Sequence, residues 1–383
     1  MATLSRQTSA VLSQVVEQIA DGVLLTDPQG FIEYVNPAFE SMTGFSADDV
    51  RGKTPRILKS GLQEASFYEE LWGELRAGRS FQATINNRRK SGEIYPVEET
   101  ITPIVDESGN ASHFVAVIQD MTEAFNRQER EVQLRLARQI QQKLYRPAPT
   151  IPGLDLAAAA YPAHETSGDY FDFISLPHRR VGIAVGDVEG HGFGSALVMA
   201  LTRAYIHSFA AMGLEVDQIL AQVNRMLLDD LGDGCFVTLM LASLDVDTRS
   251  LVYAGAGHIP GYVLNSSGST EHALESSGPP LGLFPGVRFP RNAPLTLHPG
   301  QLLVLLTDGI TESASPDGVE WGAQGALNYL VTNRHQTAGQ LAEGIYRQAL
   351  SFACNKPQRD DITSVIVKVE PTYTVSTPVL SQP

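Results

Sequence analysis

Four short acidic motifs hold the residues of this chain that could do chemistry. They are Ser-Gly-Asp-Tyr-Phe-Asp at 167–172, Val-Gly-Asp-Val-Glu-Gly-His-Gly at 185–192, Leu-Leu-Thr-Asp-Gly at 305–309 and Arg-Asp-Asp-Ile-Thr at 359–363. Each lies at the edge of an apolar, strand-like run, beside Gly or a second Asp. A carboxylate at the end of a buried strand is costly unless something neutralises it. Four such strand ends can converge on one edge of a sandwich. The simplest shared partner for four carboxylates is one or two divalent cations, and oxygen-only donors suit Mg²⁺ or Mn²⁺ rather than Zn²⁺. Singly, each motif is weak. Asp-Gly after a strand is usually a turn, and Asp360-Asp361 alone could cap a strand or face solvent.

The elements that must position these motifs begin at Leu154. Val181–Asp187, Phe236–Asp245, Ser250–Ala254, Gly261–Leu264, Leu302–Thr307 and Thr363–Val369 read as strands, and Ser195–Ala211, Val216–Leu231 and Ala338–Phe352 as helices. Many strands with a few inserted helices predict a sheet-rich sandwich over 150–370. The Pro/Ser/Thr-rich stretch 371–383 reads as a disordered tail.

Before this domain the pattern differs. Leu12, Val15, Val16 and Ile19 fall at helical spacing. Two strands, Gly22–Thr26 and Gly30–Val35, flank the turn at Asp27–Gly30. Helical stretches follow at Phe39–Met42, Asp48–Val50 and Phe67–Leu75, then strands at Phe81–Asn87, Tyr95–Ile104 and His113–Gln119. This predicts a separate α+β domain with an antiparallel sheet over 11–121. Between the two domains, Thr122–Tyr145 lacks Gly and Pro, and Pro147 and Pro149 stop it. Val132, Leu136, Ile140 and Leu144 recur every fourth residue. The segment 122–146 therefore reads as a connecting helix that pairs with its copy in a homodimer, against the plainer reading of an ordinary surface helix.

Composition narrows the function. A net charge of −15 should repel nucleic acid and anionic membrane. Cys235 and Cys354 lie in no metal-ligand spacing, and the start of the chain lacks a secretory apolar region, so a reducing cytoplasm is the expected compartment. No apolar run approaches the ~20 residues that span a bilayer.

Residues from about 139 to 369 resemble the bacterial PPM-type (PP2C-like) serine phosphatases of the sporulation-stage-II-E and sigma-B-regulator group. The matching pieces are Ala-Arg-Gln-Ile-Gln-Gln-Lys-Leu at 137–144, the four acidic motifs, and Ala-Gly-Ala-Gly-His at 254–258. The resemblance implies a β-sandwich flanked by helices, two Mn²⁺ or Mg²⁺ ions, and a phosphoserine or phosphothreonine protein substrate, usually an anti-sigma-factor antagonist. It makes Asp187 the bridging ligand, with the Val188 carbonyl beside it, Asp308 and Asp360 completing one shell, and Asp169 near the second ion. Hydroxide attack on phosphorus between the two cations follows as the expected chemistry. Asp172 and Asp361 are supporting candidates. Eukaryotic relatives place a histidine two residues after the bridging Asp; here that position is Glu189. His191, between two glycines, reads as part of a tight turn rather than as the acid, and His258 as a turn residue near the site.

Residues from about 11 to 123 resemble a PAS domain. The matching pieces include Asp-Gly-Val-Leu-Leu-Thr-Asp at 21–27, Tyr-Val-Asn-Pro-Ala-Phe at 34–39 and Val-Ile-Gln-Asp-Met-Thr-Glu at 117–123. This domain holds no cysteine, which excludes flavin–cysteinyl photochemistry. Lys53–Gly61 and the Trp72 stretch resemble PAS domains that hold FAD. A domain with no cofactor is the first expectation, with FAD next. The competing functions are a pseudophosphatase that only docks a partner, and a hydrolase of small phosphoesters. A sensor histidine kinase needs a phosphoacceptor His, and Thr122–Tyr145 has none.

Overall fold

The computed structural model describes residues 6–232 and 234–370. The chain divides into two compact units, residues 1–132 and 133–383, and each is described by itself.

In the first unit, α1 (Arg6–Gln18) precedes β1 (Gly22–Thr26) and β2 (Ile32–Val35). Three helices follow: α2 (Pro37–Thr43), α3 (Ala47–Val50) and α4 (Ala65–Arg76). Then come β3 (Phe81–Arg88), β4 (Ile94–Val105) and β5 (Ala111–Asp120). The strands form one antiparallel sheet in the order β2-β1-β5-β4-β3. Leu24, Ile32, Phe39, Val50, Tyr95, Val97 and Ile118 are almost wholly buried between sheet and helices. Asn36 explains the tight start of α2. Its side-chain oxygen accepts from the backbone N–H groups of Phe39 (2.9 Å) and Val23 (2.8 Å), so one residue caps the helix and ties it to β1.

The helix α5 (Thr122–Gln142) carries the division between the units, which falls after Val132. It ends three residues before the expected Tyr145. Val132, Leu136 and Ile140 are exposed along it. Leu144, expected as the fourth member of the stripe, lies past the helix end and packs with Tyr145 against the core of the second unit.

The second unit contains β6 (Leu154–Tyr161), β7 (Tyr170–Leu176), β8 (Arg180–Val188), α6 (Phe193–Ala211), α7 (Val216–Asp230), β9 (Val237–Asp245), β10 (Ser250–Ala256), β11 (Gly261–Leu264), β12 (Thr270–Leu274), β13 (Leu295–Thr296), β14 (Leu302–Leu306), α8 (Asp308–Thr311), α9 (Gly322–Asn333), α10 (Ala338–Phe352) and β15 (Ile362–Val369). Two five-stranded antiparallel sheets result, β13-β10-β9-β8-β7 and β12-β11-β14-β15-β6. Phe171, Ile183 and Val185 of one sheet meet Leu303, Leu305, Val365 and Val367 of the other in a shared core. The outer face of the first sheet packs on α6 and α7, that of the second on α8, α9 and α10. The expected sandwich flanked by helices is therefore present. The strands β6, β7, β12 and β13 and the helices α8 and α9 are additions to the sequence reading. In β6, Leu-Asp-Leu followed by four alanines carries too little strand propensity to declare itself, and its pairing with β15 makes it a strand.

Candidate metal centre

The antiparallel pairing fixes where the acidic residues lie. Tyr170 pairs with Gly186, so the start of β7 lies beside the end of β8 and Asp169 comes near Asp187. Leu306 pairs with Ser364, so the end of β14 lies beside the start of β15 and Asp308 comes near Asp360 and Asp361. A hydrogen bond joins the two sheets at this edge: Thr307 Oγ1 donates to Asp169 Oδ2 at 2.8 Å.

The electrostatics show one cluster. Burial first, and then the charges of Asp308, Asp360 and Asp361, push the Asp187 carboxyl up to about 8. Asp169 is almost fully buried, and burial and the charge of Asp187 raise it well above the carboxylate range. Asp308 is raised by burial and by Asp360. Carboxyls that lift one another in this way are short of positive charge.

Local backbone makes room for these oxygens. A Cβ at Gly168 would lie 2.9 Å from the Val188 carbonyl oxygen, 3.2 Å from Asp187 Oδ1 and 3.4 Å from the Gly190 carbonyl oxygen. Gly168 thus faces a cradle of three oxygens that a side chain would fill. Gly309 has a different reason. A Cβ there would collide with the Asp361 carbonyl oxygen at 1.9 Å, so this Asp-Gly is a close backbone approach at the start of α8 and not a simple turn. An all-oxygen donor set with this cradle fits Mg²⁺ or Mn²⁺ in kind. Among the described residues, no group of three or more His, Cys, Asp and Glu side chains is close enough to hold an ion.

The two supporting candidates separate clearly. Asp361 is spent on the loop before β7. Its Oδ1 accepts from the Ala163 N–H (2.8 Å), and its Oδ2 accepts from the Ser167 hydroxyl (2.7 Å) and the Gly168 N–H (2.8 Å). It fixes the backbone that presents Gly168 and Asp169. Asp172 is fully buried on β7 and turns to α6, where its Oδ2 meets His207 Nε2 (2.5 Å), Arg203 Nε (3.1 Å) and the Tyr170 hydroxyl (3.0 Å). It registers helix on sheet.

His191 lies in the expected tight turn, whereas His258, expected as a turn residue, is a buried packing group. Gly190 and Gly192 both take positive φ, near +90°, so His191 sits in a tight loop, and its ring stacks on His164 at 4.9 Å. His258 is buried. Its Nδ1 lies 2.9 Å from Thr238 Oγ1 and its Nε2 3.0 Å from the Leu306 carbonyl, and burial pushes it down to about 4. It pins the end of β14 as a neutral ring.

Two residues were missed by the sequence reading. Gln141, in the last turn of α5, is buried. Its Nε2 donates to the Ser167 carbonyl (2.6 Å), and its Oε1 accepts from the Ser167 N–H (3.0 Å). The only signal for it was its place within the motif at 137–144. Thr307 was read merely as part of Thr-Asp-Gly.

The first unit holds a cavity of about 820 Å³, lined among others by Leu58, Leu71, Trp72, Asn87, Glu99 and Phe114. Asn87 Nδ2 is buried without a hydrogen-bond partner, and burial raises Glu99 to about 7.

Such a sandwich, with strand-end carboxylates at one edge, defines a PP2C-type phosphatase domain, here in one chain with a PAS domain. The chain matches the family model "Stage II sporulation protein E (SpoIIE)" over residues 177–370 and a PAS domain model over residues 20–123. It belongs to the stage II sporulation protein E family. It is 30% identical over 243 residues to the phosphoserine phosphatase RsbU of Bacillus subtilis, an overlap of 63% of this chain and 71% of that protein. It is 28% identical over 279 residues to protein IcfG of Synechocystis, covering 66% of this chain and 43% of IcfG, so it spans less than half of that relative. The solved PP2C domain of SiaA from Pseudomonas aeruginosa superimposes with a TM-score of 0.56 at 22% identity, over 64% of this chain and 98% of that domain, which shows the shared fold. No helix among the described residues is long and apolar enough to cross a membrane.

Proposed function

We propose that this chain is a metal-dependent protein phosphatase that removes phosphate from phosphoserine or phosphothreonine of a regulatory protein, of the anti-sigma-factor antagonist kind, under control of its PAS domain. The observation that carries this reading is the electrostatic cluster of Asp169, Asp187, Asp308 and Asp360 beside the oxygen cradle at Gly168. Asp187, the Val188 carbonyl, Asp308 and Asp360 would hold the ions, with Asp169 at the second. Bound divalent cations supply Lewis acidity toward the phosphoryl group and toward water. The chain's own residues arrange the rest. Asp361 holds the loop that presents Asp169, His258 fixes the end of β14, and Gly309 lets the backbones of Asp308 and Asp361 approach. Glu189 occupies the position of the eukaryotic histidine and is exposed.

A partner-docking pseudophosphatase draws on the one contrary observation, that the carboxylates do not close into a three-ligand cage. Mn²⁺-dependent release of phosphate from a phosphorylated antagonist protein of the same organism separates the two. Activity in the wild type, lost in Asp187→Ala and Asp308→Ala with the fold retained, supports the enzyme. Metal-independent activity, or full activity in both variants, overturns it.

For the PAS cavity, a domain without cofactor is the first reading and FAD the second, and the volume and Trp72 in the lining bear on the second. Protein that neither absorbs as a flavoprotein nor gains thermal stability with added FAD removes it.

A further inference from the structure

The Thr307 hydroxyl is the point at which three of the acid-bearing elements meet. It is fully buried, directly after β14 and directly before Asp308. A hydroxyl has one hydrogen to give and two lone pairs to receive with. The Thr363 N–H donates to Thr307 Oγ1 at 2.9 Å, occupying one lone pair. The hydrogen then has two acceptors in reach: Asp169 Oδ2 at 2.8 Å and the Thr363 carbonyl at 3.4 Å. The shorter contact, to Asp169 Oδ2, takes it. The Thr307 N–H meanwhile donates to the Thr363 carbonyl at 3.0 Å, which holds the threonine itself in place. The Thr363 hydroxyl lies against the same carboxylate but outside hydrogen-bond geometry, and stays buried without a partner. Thr307 is therefore the side chain whose well-formed hydrogen bond holds the Asp169 carboxyl, through Oδ2.

We infer that Thr307 is a positioning residue that sets the divalent-cation affinity of the centre by orienting Asp169. The inference rests on the proposed metal centre. A side chain that orients a ligand is commonly worth about ten- to a hundredfold in metal affinity. Valine has nearly the shape of threonine without the hydroxyl, and serine keeps the hydroxyl without the methyl.

Calorimetric titration of the full chain with Mn²⁺ provides the test, with variant folds checked by circular dichroism. Thr307→Val should weaken the tighter Mn²⁺ site about tenfold or more, and Thr307→Ser should restore it to within about threefold. In an Asp169→Asn background, Thr307→Val should add little, because the carboxylate it orients is already altered. Unchanged Mn²⁺ affinity in Thr307→Val, or an equal loss with and without Asp169→Asn, overturns the positioning role. Should Thr307→Val fail to fold, the same cycle run with Thr307→Ala decides on the same criteria. A wild-type chain that binds no Mn²⁺ overturns the metal centre itself and this inference with it, an outcome separate from the first.

Discussion

Asp187 and His258 pull the stability of the catalytic unit in opposite directions with pH. In the fold without bound cations, burial and the charges of Asp308, Asp360 and Asp361 push the Asp187 carboxyl up to about 8 from its ordinary 3.8. Its protonated form therefore adds stability that is complete below about pH 4 and lost as pH rises toward 8. His258 is pushed down to about 4 from 6.5. Its neutral form adds stability that is present above 6.5 and lost as pH falls toward 4. Between about pH 6.5 and 8 the contribution of His258 is complete, and in this unit the slope comes from the raised carboxyls, Asp187 together with Asp169 and Asp308. Chelator-treated protein should melt at a lower temperature at pH 8 than at pH 6.5. Saturating Mn²⁺ should remove most of the difference, because cations favour the ionised carboxylate. Asp187→Asn should flatten the slope in the chelated protein, read by scanning fluorimetry. An unchanged slope in that variant would remove Asp187 as its source. Residue by residue, the sequence reading located the carboxylates, since Asp at a strand end is visible from apolar patterning. It could not divide their labour. Asp361 and Asp172 differ only in their partners, which lie up to 198 residues away for Asp361 and 35 for Asp172. Gly168 was legible as a glycine, but the oxygens it faces were not.

Among the elements, strongly patterned strands such as Leu302–Leu306 and helices such as Ala338–Phe352 could be read almost to the residue. The alanine-rich β6 could not, because tertiary pairing with β15 decides it. The helix α5 shows both outcomes. Its existence was legible from the missing Gly and Pro, while its end was set by packing. Leu144 leaves the stripe for the catalytic core, and Val132, Leu136 and Ile140 stay 48%, 54% and 64% exposed. Side chains this exposed forgo part of the roughly 1.5–3 kcal/mol that full burial of a Leu or Ile contributes, so pairing of two such helices in a homodimer would be stabilising. About two and a half turns beyond the start of this stripe, Gln141 grips the Ser167 backbone beside Asp169. In a homodimer paired through α5, a change in pairing would have a direct route to the carboxylates. Leu136→Glu with Ile140→Glu should make the chain monomeric in sedimentation and uncouple the phosphatase rate from the PAS domain, while keeping Mn²⁺ chemistry. A double variant that stays dimeric and normally regulated rules the route out.

At the scale of the whole molecule, charge sets a problem for the proposed reaction. The chain carries −15, and the carboxylate cluster lies where a phosphate dianion must arrive. Bound cations offset the local repulsion, but the long-range field still opposes small anionic esters and is screened only beyond about 8–10 Å at ordinary salt. A folded protein substrate can offset that cost through contacts remote from the phosphate and use them to orient the ester for attack. A small aryl phosphate has no such contacts. The expected result is a kcat/KM for the phosphorylated antagonist protein at least about a hundredfold above that for an aryl phosphate, the equivalent of roughly 3 kcal/mol of remote binding. A phosphopeptide cut from the same protein should fall between them, since it keeps the ester and loses the folded surface. Steady-state rates for the three substrates at one Mn²⁺ concentration measure this directly. Raising salt should narrow the gap by helping the aryl phosphate more than the protein. Equal kcat/KM for all three would mean that the site recognises only the phosphoryl group, and the reading as a phosphatase dedicated to one regulatory protein would give way to that of a general phosphoesterase.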